Sequence, residues 1–219
     1  MKLKNKIQTA LTAMLAIAFI ASCDDKDDLL KKEEAKEGLA ILDCSNYAQW
    51  NFFSFATGQI VGTCDVADQA ANQTWGSRND WDIAFHRQDV KTNSGASGNG
   101  GGGILEYDFK DATFNFDAVL EAPKDGYVAD AADSVIYDMS QMMQGKIGYA
   151  QTGLAQPTKK WAVLTDMMNG KWEYAQKIFI VRSAGKKYAK IYLKNFKNDT
   201  GTSGHVTMQY AYPIPAANK

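Results

Sequence analysis

The C-terminal third of the chain reads Lys177-Ile178-Phe179-Ile180-Val181-Arg182-Ser183, then Tyr188-Ala189-Lys190-Ile191-Tyr192-Leu193-Lys194-Asn195-Phe196, then His205-Val206-Thr207-Met208-Gln209-Tyr210-Ala211-Tyr212. Each run is rich in β-branched and aromatic residues, and Ala184-Gly185-Lys186 and residues 197–204 supply the turn residues between them. The pattern predicts three antiparallel strands in a meander. Along the last, Val206, Met208, Tyr210 and Tyr212 share one face, which leaves His205 on the polar face as a weak ligand candidate. Pro213 and Pro215 are expected to end the sheet. These runs set the fold class as all-β, mainly antiparallel, with one or two short helices and long loops.

Working upstream, Tyr47 to Ala56 is an aromatic strand that turns at Thr57-Gly58 into a return strand, Gln59 to Thr63. The polar stretch 72–79 reads as a linker. Asp80 to Asp89 alternates with period two, placing Trp81, Ile83 and Phe85 on one face and Asp82, Ala84, His86 and Gln88 on the other. His86 with Asp80, Asp82 and Asp89 can be drawn as an acid–base pair or metal site, but strand positions spread along a pleat do not converge unaided. A hydrogen-bonded structural histidine is the simpler reading. The Gly-rich run 94–103 lacks the Gly-Lys-Ser/Thr ending of a phosphate loop and leads into the strand-like Ile104-Leu105-Glu106-Tyr107, so it reads as a loop between strands. Ala112 to Val119 reads as extended.

Between these blocks lies the window Ser134 to Trp172, which holds five of the eight methionines as two clusters: Met139, Met142 and Met143, then Met167 and Met168. Asp133 or Ser134 can cap a short helix on which Ile136, Met139, Met142 and Met143 recur, with Gly145 closing it. Residues 145–160 read as a long excursion, and Asp166-Met167-Met168-Asn169-Gly170 as a loop tip. A thioether is a soft, uncharged sulfur donor, so two such clusters could hold a metal centre such as haem iron between them. Methionine is equally the flexible filler of irregular cores. Exposed Trp50, Trp75, Trp161 or Trp172 would instead suit a glycan-binding or adhesive surface protein. Two histidines, no Gly-x-Ser-x-Gly elbow and no paired-carboxylate signature leave little basis for an enzyme.

The N-terminus is a separate matter. Lys2, Lys4 and Lys6 precede an apolar run from Ala10 to Ala21, and Ile20-Ala21-Ser22-Cys23 has the form of a lipobox. Residues 1–22 are expected to be a lipoprotein signal peptide, Cys23 the lipidated residue, 23–38 a charged tether and 39–219 a single β domain. Without residues 1–22 the balance is 21 basic to 25 acidic residues, a formal charge of −4, which disfavours nucleic acid as a partner. Membrane attachment is then through the lipid alone. Cys44 and Cys64 remain as an even pair in an oxidising compartment; a bridge would close a loop of about 20 residues and contribute on the order of 3 kcal/mol.

One resemblance draws these pieces together. Thr57-Gly58-Gln59-Ile60-Val61-Gly62, the strand Trp81-Asp82-Ile83-Ala84-Phe85-His86-Arg87 leading to Lys91-Thr92-Asn93-Ser94-Gly95, Tyr188-Ala189-Lys190-Ile191, and Gly204-His205-Val206-Thr207 resemble the HmuY family of haem-binding lipoproteins, over roughly Leu39 to Tyr212. The resemblance implies a hand-like all-β fold with two lobes gripping haem. It also implies a surface location on the outer membrane, and transfer of haem from host haemoproteins to a TonB-dependent outer-membrane receptor. The founding type ligates iron through two histidines. No histidine occurs between 134 and 172, so the ligand positions carry over in outline to Met143 and Met168, with Met142 and Met167 as alternates and His86 behind them.

Overall fold

The computed structural model describes residues 35–110 and 113–217. The expected signal peptide, Cys23 and most of the expected tether lie outside the described residues. In chain order the elements are β1 (Lys36–Asp43), β2 (Gln49–Ser54), β3 (Gln59–Asp65), α1 (Gln69–Gly76), β4 (Ile83–His86), β5 (Asp89–Thr92), β6 (Gly103–Glu106), β7 (Ala131–Asp138), β8 (Gly148–Leu154), β9 (Ala162–Asp166), β10 (Lys171–Tyr174), β11 (Ile178–Arg182), β12 (Tyr188–Lys197) and β13 (Ser203–Ile214). The fold is all-β and antiparallel, as expected, with one short α-helix. β1 begins three residues before Leu39, where the tether was expected to end.

The predicted meander is present as β11, β12 and β13, extended by β1 and β6 into a five-stranded sheet of order β1-β13-β12-β11-β6. Pro213 lies inside β13 and does not end it. The aromatic hairpin forms a second sheet, order β3-β2-β4-β5. The two sheets share one core. Phe53, Ile83, Phe85 and Val90 from the four-stranded sheet, with Phe55 just after β2, pack on Phe179, Val181, Ile191, Met208, Tyr210 and Tyr212 from the five-stranded one. The ring of Phe53 meets that of Tyr210 edge to face, with centroids 5.6 Å apart. Each such buried ring contributes about 2–3 kcal/mol through area alone.

The four-stranded sheet is buried on its other face as well. There Trp50, Phe52, Trp75, Trp81 and Ala84 pack with Val135, Ala150 and Leu154 of the two-stranded β7–β8 unit. Period-two alternation anticipated one wet face, so the polar residues of that face are buried and need partners. Asp82 accepts a hydrogen bond from the Phe55 backbone N–H at 2.8 Å, and burial pushes its carboxyl up to about 6.

Other departures have local causes. The helix expected from Ser134 is strand β7; Val135 and Ile136 are β-branched or β-favouring, and the strand pairs from Ala131↔Leu154 to Asp138↔Gly148. Its partner β8 occupies what read as a loop. The stretch read as a linker, 72–79, takes in the second half of α1, a helix capped by the Asp68 side chain accepting from Ala71 N at 3.0 Å. Residues 113–119 form no strand. Cys44 and Cys64 are both free: Cys44 sits in the shared core and Cys64 against the opposite one, so no bridge joins them. The Gly-rich run is a tight connection, in which Gly95 has φ +50° and lies so close to Asp130 O that no Cβ fits.

Burial raises the Asp82 pKa, so the folded chain takes up a proton there that the unfolded chain does not, and stability falls as pH rises from about 4 to about 6. Asp82→Asn keeps the acceptor and removes the charge. Urea denaturation should therefore show this variant gaining roughly 2 kcal/mol on wild type between pH 4.5 and 7.5.

Candidate functional site

The β4–β5 turn is the place where the site begins. His86 pairs with Asp89, leaving Arg87 and Gln88 as a two-residue connection. Arg87 takes φ +51°, a left-handed conformation that costs a non-glycine residue about 1 kcal/mol or more. Its side chain holds it there. Nη1 donates to Ser45 O at 3.1 Å and Ser203 O at 3.2 Å, Nη2 donates to Ser203 Oγ at 3.1 Å, and the guanidinium lies 4.4 Å over the Tyr47 ring. Gly204 has no room for a side chain because Arg87 Nη1 fills that space. One buried arginine thus ties the turn to the loops after β1 and before β13.

His86 is 1 % exposed. Its Nε2 donates to Tyr47 O at 2.7 Å, and its Nδ1 lies 3.4 Å from Asp89 Oδ2. Both ring nitrogens are engaged, so His86 is a structural residue of the floor. His205 lies elsewhere, with Nε2 3.6 Å from Asp43. Among the described residues no group of three or more His, Cys, Asp or Glu side chains is placed to hold a metal ion.

Above this floor opens a cleft of about 350 Å³. Its floor is Tyr47 and residues 86–89; Val135, Ile136, Met139 and Tyr149 of the β7–β8 arm line one side, Leu164 and Trp172 of the β9–β10 arm the other. Trp172 is braced by Phe196, ring centroids 4.6 Å apart. At the far end of the first arm, residues 142–144 form a single 3-10 turn closed by Gly145, whose N–H donates to Met142 O at 2.9 Å. At the end of the second, Asp166 accepts from Asn169 N and Nδ2 at 3.1 and 2.7 Å, shaping the turn that carries Met167 and Met168.

These methionines are not core filler. Met143 is 94 % exposed, Met168 96 %, Met167 83 % and Met142 46 %. Of twelve exposed large apolar side chains among the described residues, eight (Met142, Met143, Ile147, Tyr149, Val163, Leu164, Met167, Met168) belong to the two arms, a concentration that marks a surface meant to be covered. None of the four predicted ligand methionines lines the cleft itself; Met139 does. The sequence reading missed Tyr149 and Leu164, whose apolar character was visible but whose strands were not assigned. Three of the four tryptophans considered as glycan platforms are buried: Trp50, Trp75 and Trp161.

A profile of the HmuY protein family matches residues 46–210, which takes in the four-stranded sheet, both arms and the five-stranded sheet apart from β1 and the end of β13. The chain belongs to the HmuY family. Among solved structures it is similar to a Bacteroides vulgatus protein described as an HmuY-like haem-binding protein, with 30 % identity, 81 % of this chain and 92 % of that one covered, and a TM-score of 0.65. It is also similar to a lipoprotein structure from Bacteroides fragilis, at 26 % identity, 85 % and 93 % coverage and a TM-score of 0.63. The apo HmuY analogue of Tannerella forsythia shares the fold, with 22 % identity, 82 % and 96 % coverage and a TM-score of 0.59. No curated protein sequence matches this HmuY family chain.

If Arg87 anchors the floor, Arg87→Ala leaves the Ser45 and Ser203 carbonyls without their donor. Stability should drop by about 2–3 kcal/mol in urea denaturation. Arg87→Lys should recover less than half of that loss, since one ammonium cannot span the same three acceptors.

Proposed function

We propose that this chain binds haem between the β7–β8 and β9–β10 arms, with one methionine from each tip as an axial iron ligand. The observation that carries the reading is the pairing of two exposed methionine tips with two apolar arms that border one cleft. The donor set fits the group: thioethers are soft and neutral, and the side chains of Met143 and Met168 stand almost fully exposed. Bound haem would supply an iron able to take soft protein donors, and Met143 and Met168, or Met142 and Met167 in their place, would hold it.

Each residue then has a task. Ile136, Tyr149, Leu164 and Trp172 offer apolar contact to the ring, and burial of that surface supplies much of the affinity. Met143 and Met168 are the ligands proposed, with Met142 and Met167 as alternates. Met139, on the cleft wall, is assigned to contact with the ring. His86 and Arg87 fix the β4–β5 turn that forms the floor of the cleft. Neutral sulfur stabilises the lower iron charge, so capture is tighter for ferrous haem.

The biological role follows the family. We assign the protein as a carrier and not an enzyme, lipid-anchored through Cys23 at the outer-membrane surface, taking haem from host haemoproteins and passing it to a TonB-dependent receptor.

Haem titration followed through the Soret band tests the site. Met143→Ala and Met168→Ala should each weaken binding about tenfold and shift the band, without loss of fold, because both side chains are exposed. Affinity should be higher under dithionite than in air. Unchanged spectra in both variants and in the Met142→Ala/Met143→Ala and Met167→Ala/Met168→Ala pairs would reject thioether ligation.

A further inference from the structure

A second cavity lies apart from the cleft, beneath α1. It has a volume of about 360 Å³ and shares no residue with the haem cleft. One wall is the Gln69, Asn72, Gln73 and Gly76 face of α1. The others are residues 95–99 and 151–153. The lining holds no acidic and no aromatic residue, and its one charged side chain is Lys91.

Lys91 is 3 % exposed. Its Nζ donates to Asn72 Oδ1 at 3.2 Å and lies 4.1 Å from the Trp50 ring centroid and 4.8 Å from that of Phe52. An ammonium has three donors, and this one has a single oxygen partner among the described residues, with no carboxylate in ion-pair range. A buried charge whose facing carboxylate, Asp130, stays beyond ion-pair range is costly, and burial pulls the Lys91 pKa down to about 8. Of the groups facing it, the Cys64 thiol is pushed up to about 11 and stays neutral. Asp130 is already engaged by Thr92, Ser94 and Ser97.

We propose that the cavity under α1 binds a monosaccharide-sized, carboxylate-bearing polyol, with the carboxylate on Lys91 and the hydroxyls on the surrounding amides. The volume falls within the range of small-molecule sites and is roomy for a bare inorganic anion. Gln73, Asn99, Gln151, Ser77 and Thr152 alternate donors with acceptors, as a polyol requires. With no ring in the lining for stacking, the charge must orient the ligand.

Calorimetry on the purified, haem-free protein with D-glucuronate, D-glucose and inorganic phosphate tests this, and its result does not depend on the haem reading. Glucuronate should bind about tenfold more tightly than either comparator, and its affinity should fall above pH 8 as Lys91 loses its proton. Lys91→Met should abolish the signal. Gln73→Glu, an exposed change on the rim that leaves the core untouched, should weaken it about tenfold through repulsion. No heat with glucuronate, equal affinity for glucose or for phosphate, or full binding by either variant would overturn the proposal.

Discussion

The β4–β5 hairpin is buried on both faces, and the rest of the molecule is arranged around that constraint. Ile83, Phe85 and Val90 face the five-stranded sheet, while Trp81 and Ala84 face the layer under β7–β8. A sheet sandwiched in this way cannot slide, because any shift of register would expose large apolar groups on one face or the other. Its turn therefore emerges at a fixed point. Each arm is packed onto a different core: β7–β8 through Val135, Ala150 and Leu154, and β9–β10 through Ala162, Trp172 and Tyr174. The cleft is the space left between them.

The price of that arrangement is polar burial, and the chain meets most of it, leaving Trp50 Nε1, Arg87 Nε and Arg182 Nε buried without a hydrogen-bond partner among the described residues. Arg87 takes a strained backbone conformation and spends its guanidinium on two carbonyls and a hydroxyl. Asp130 accepts from Thr92 N and Oγ1 at 2.8 and 2.7 Å and from Ser97 Oγ at 2.5 Å, joining β5, the glycine-rich connection and the segment that leads into β7. Burial still holds its carboxyl up at about 6. The Arg87 contacts fix the cleft floor, and those of Asp130 fix the base of the β7–β8 arm. The tips, where Met143 and Met168 stand, have almost no packing of their own, and that contrast is what a ligand-gripping pair of arms requires.

Much of this was legible in the residues. The β11–β13 meander and the β2–β3 hairpin carry their pattern openly, and the methionine pairs were visible as clusters. What failed was periodicity near residue 136: Ile136, Met139 and Met142 repeat at helical spacing by coincidence, and only the pairing with β8 decides for a strand. β8 was hidden because Gly148 and Gly153 look like loop residues, although Gly153 packs where Ser97 leaves no room for a Cβ. α1 had a usable signal in Asp68, overlooked among polar neighbours. Burial on both faces of β4 and β5 was not legible, because it is imposed by β7–β8 and by a helix that lie elsewhere in the chain.

The central claim is that the two arms hold iron between their methionine tips. Crystals of the haem-loaded protein, measured at the iron absorption edge, locate the metal directly. The account predicts one strong anomalous peak flanked by sulfur from residues 142–143 on one side and 167–168 on the other. A peak bound to His86 or His205, or weak peaks scattered over the surface, would contradict it.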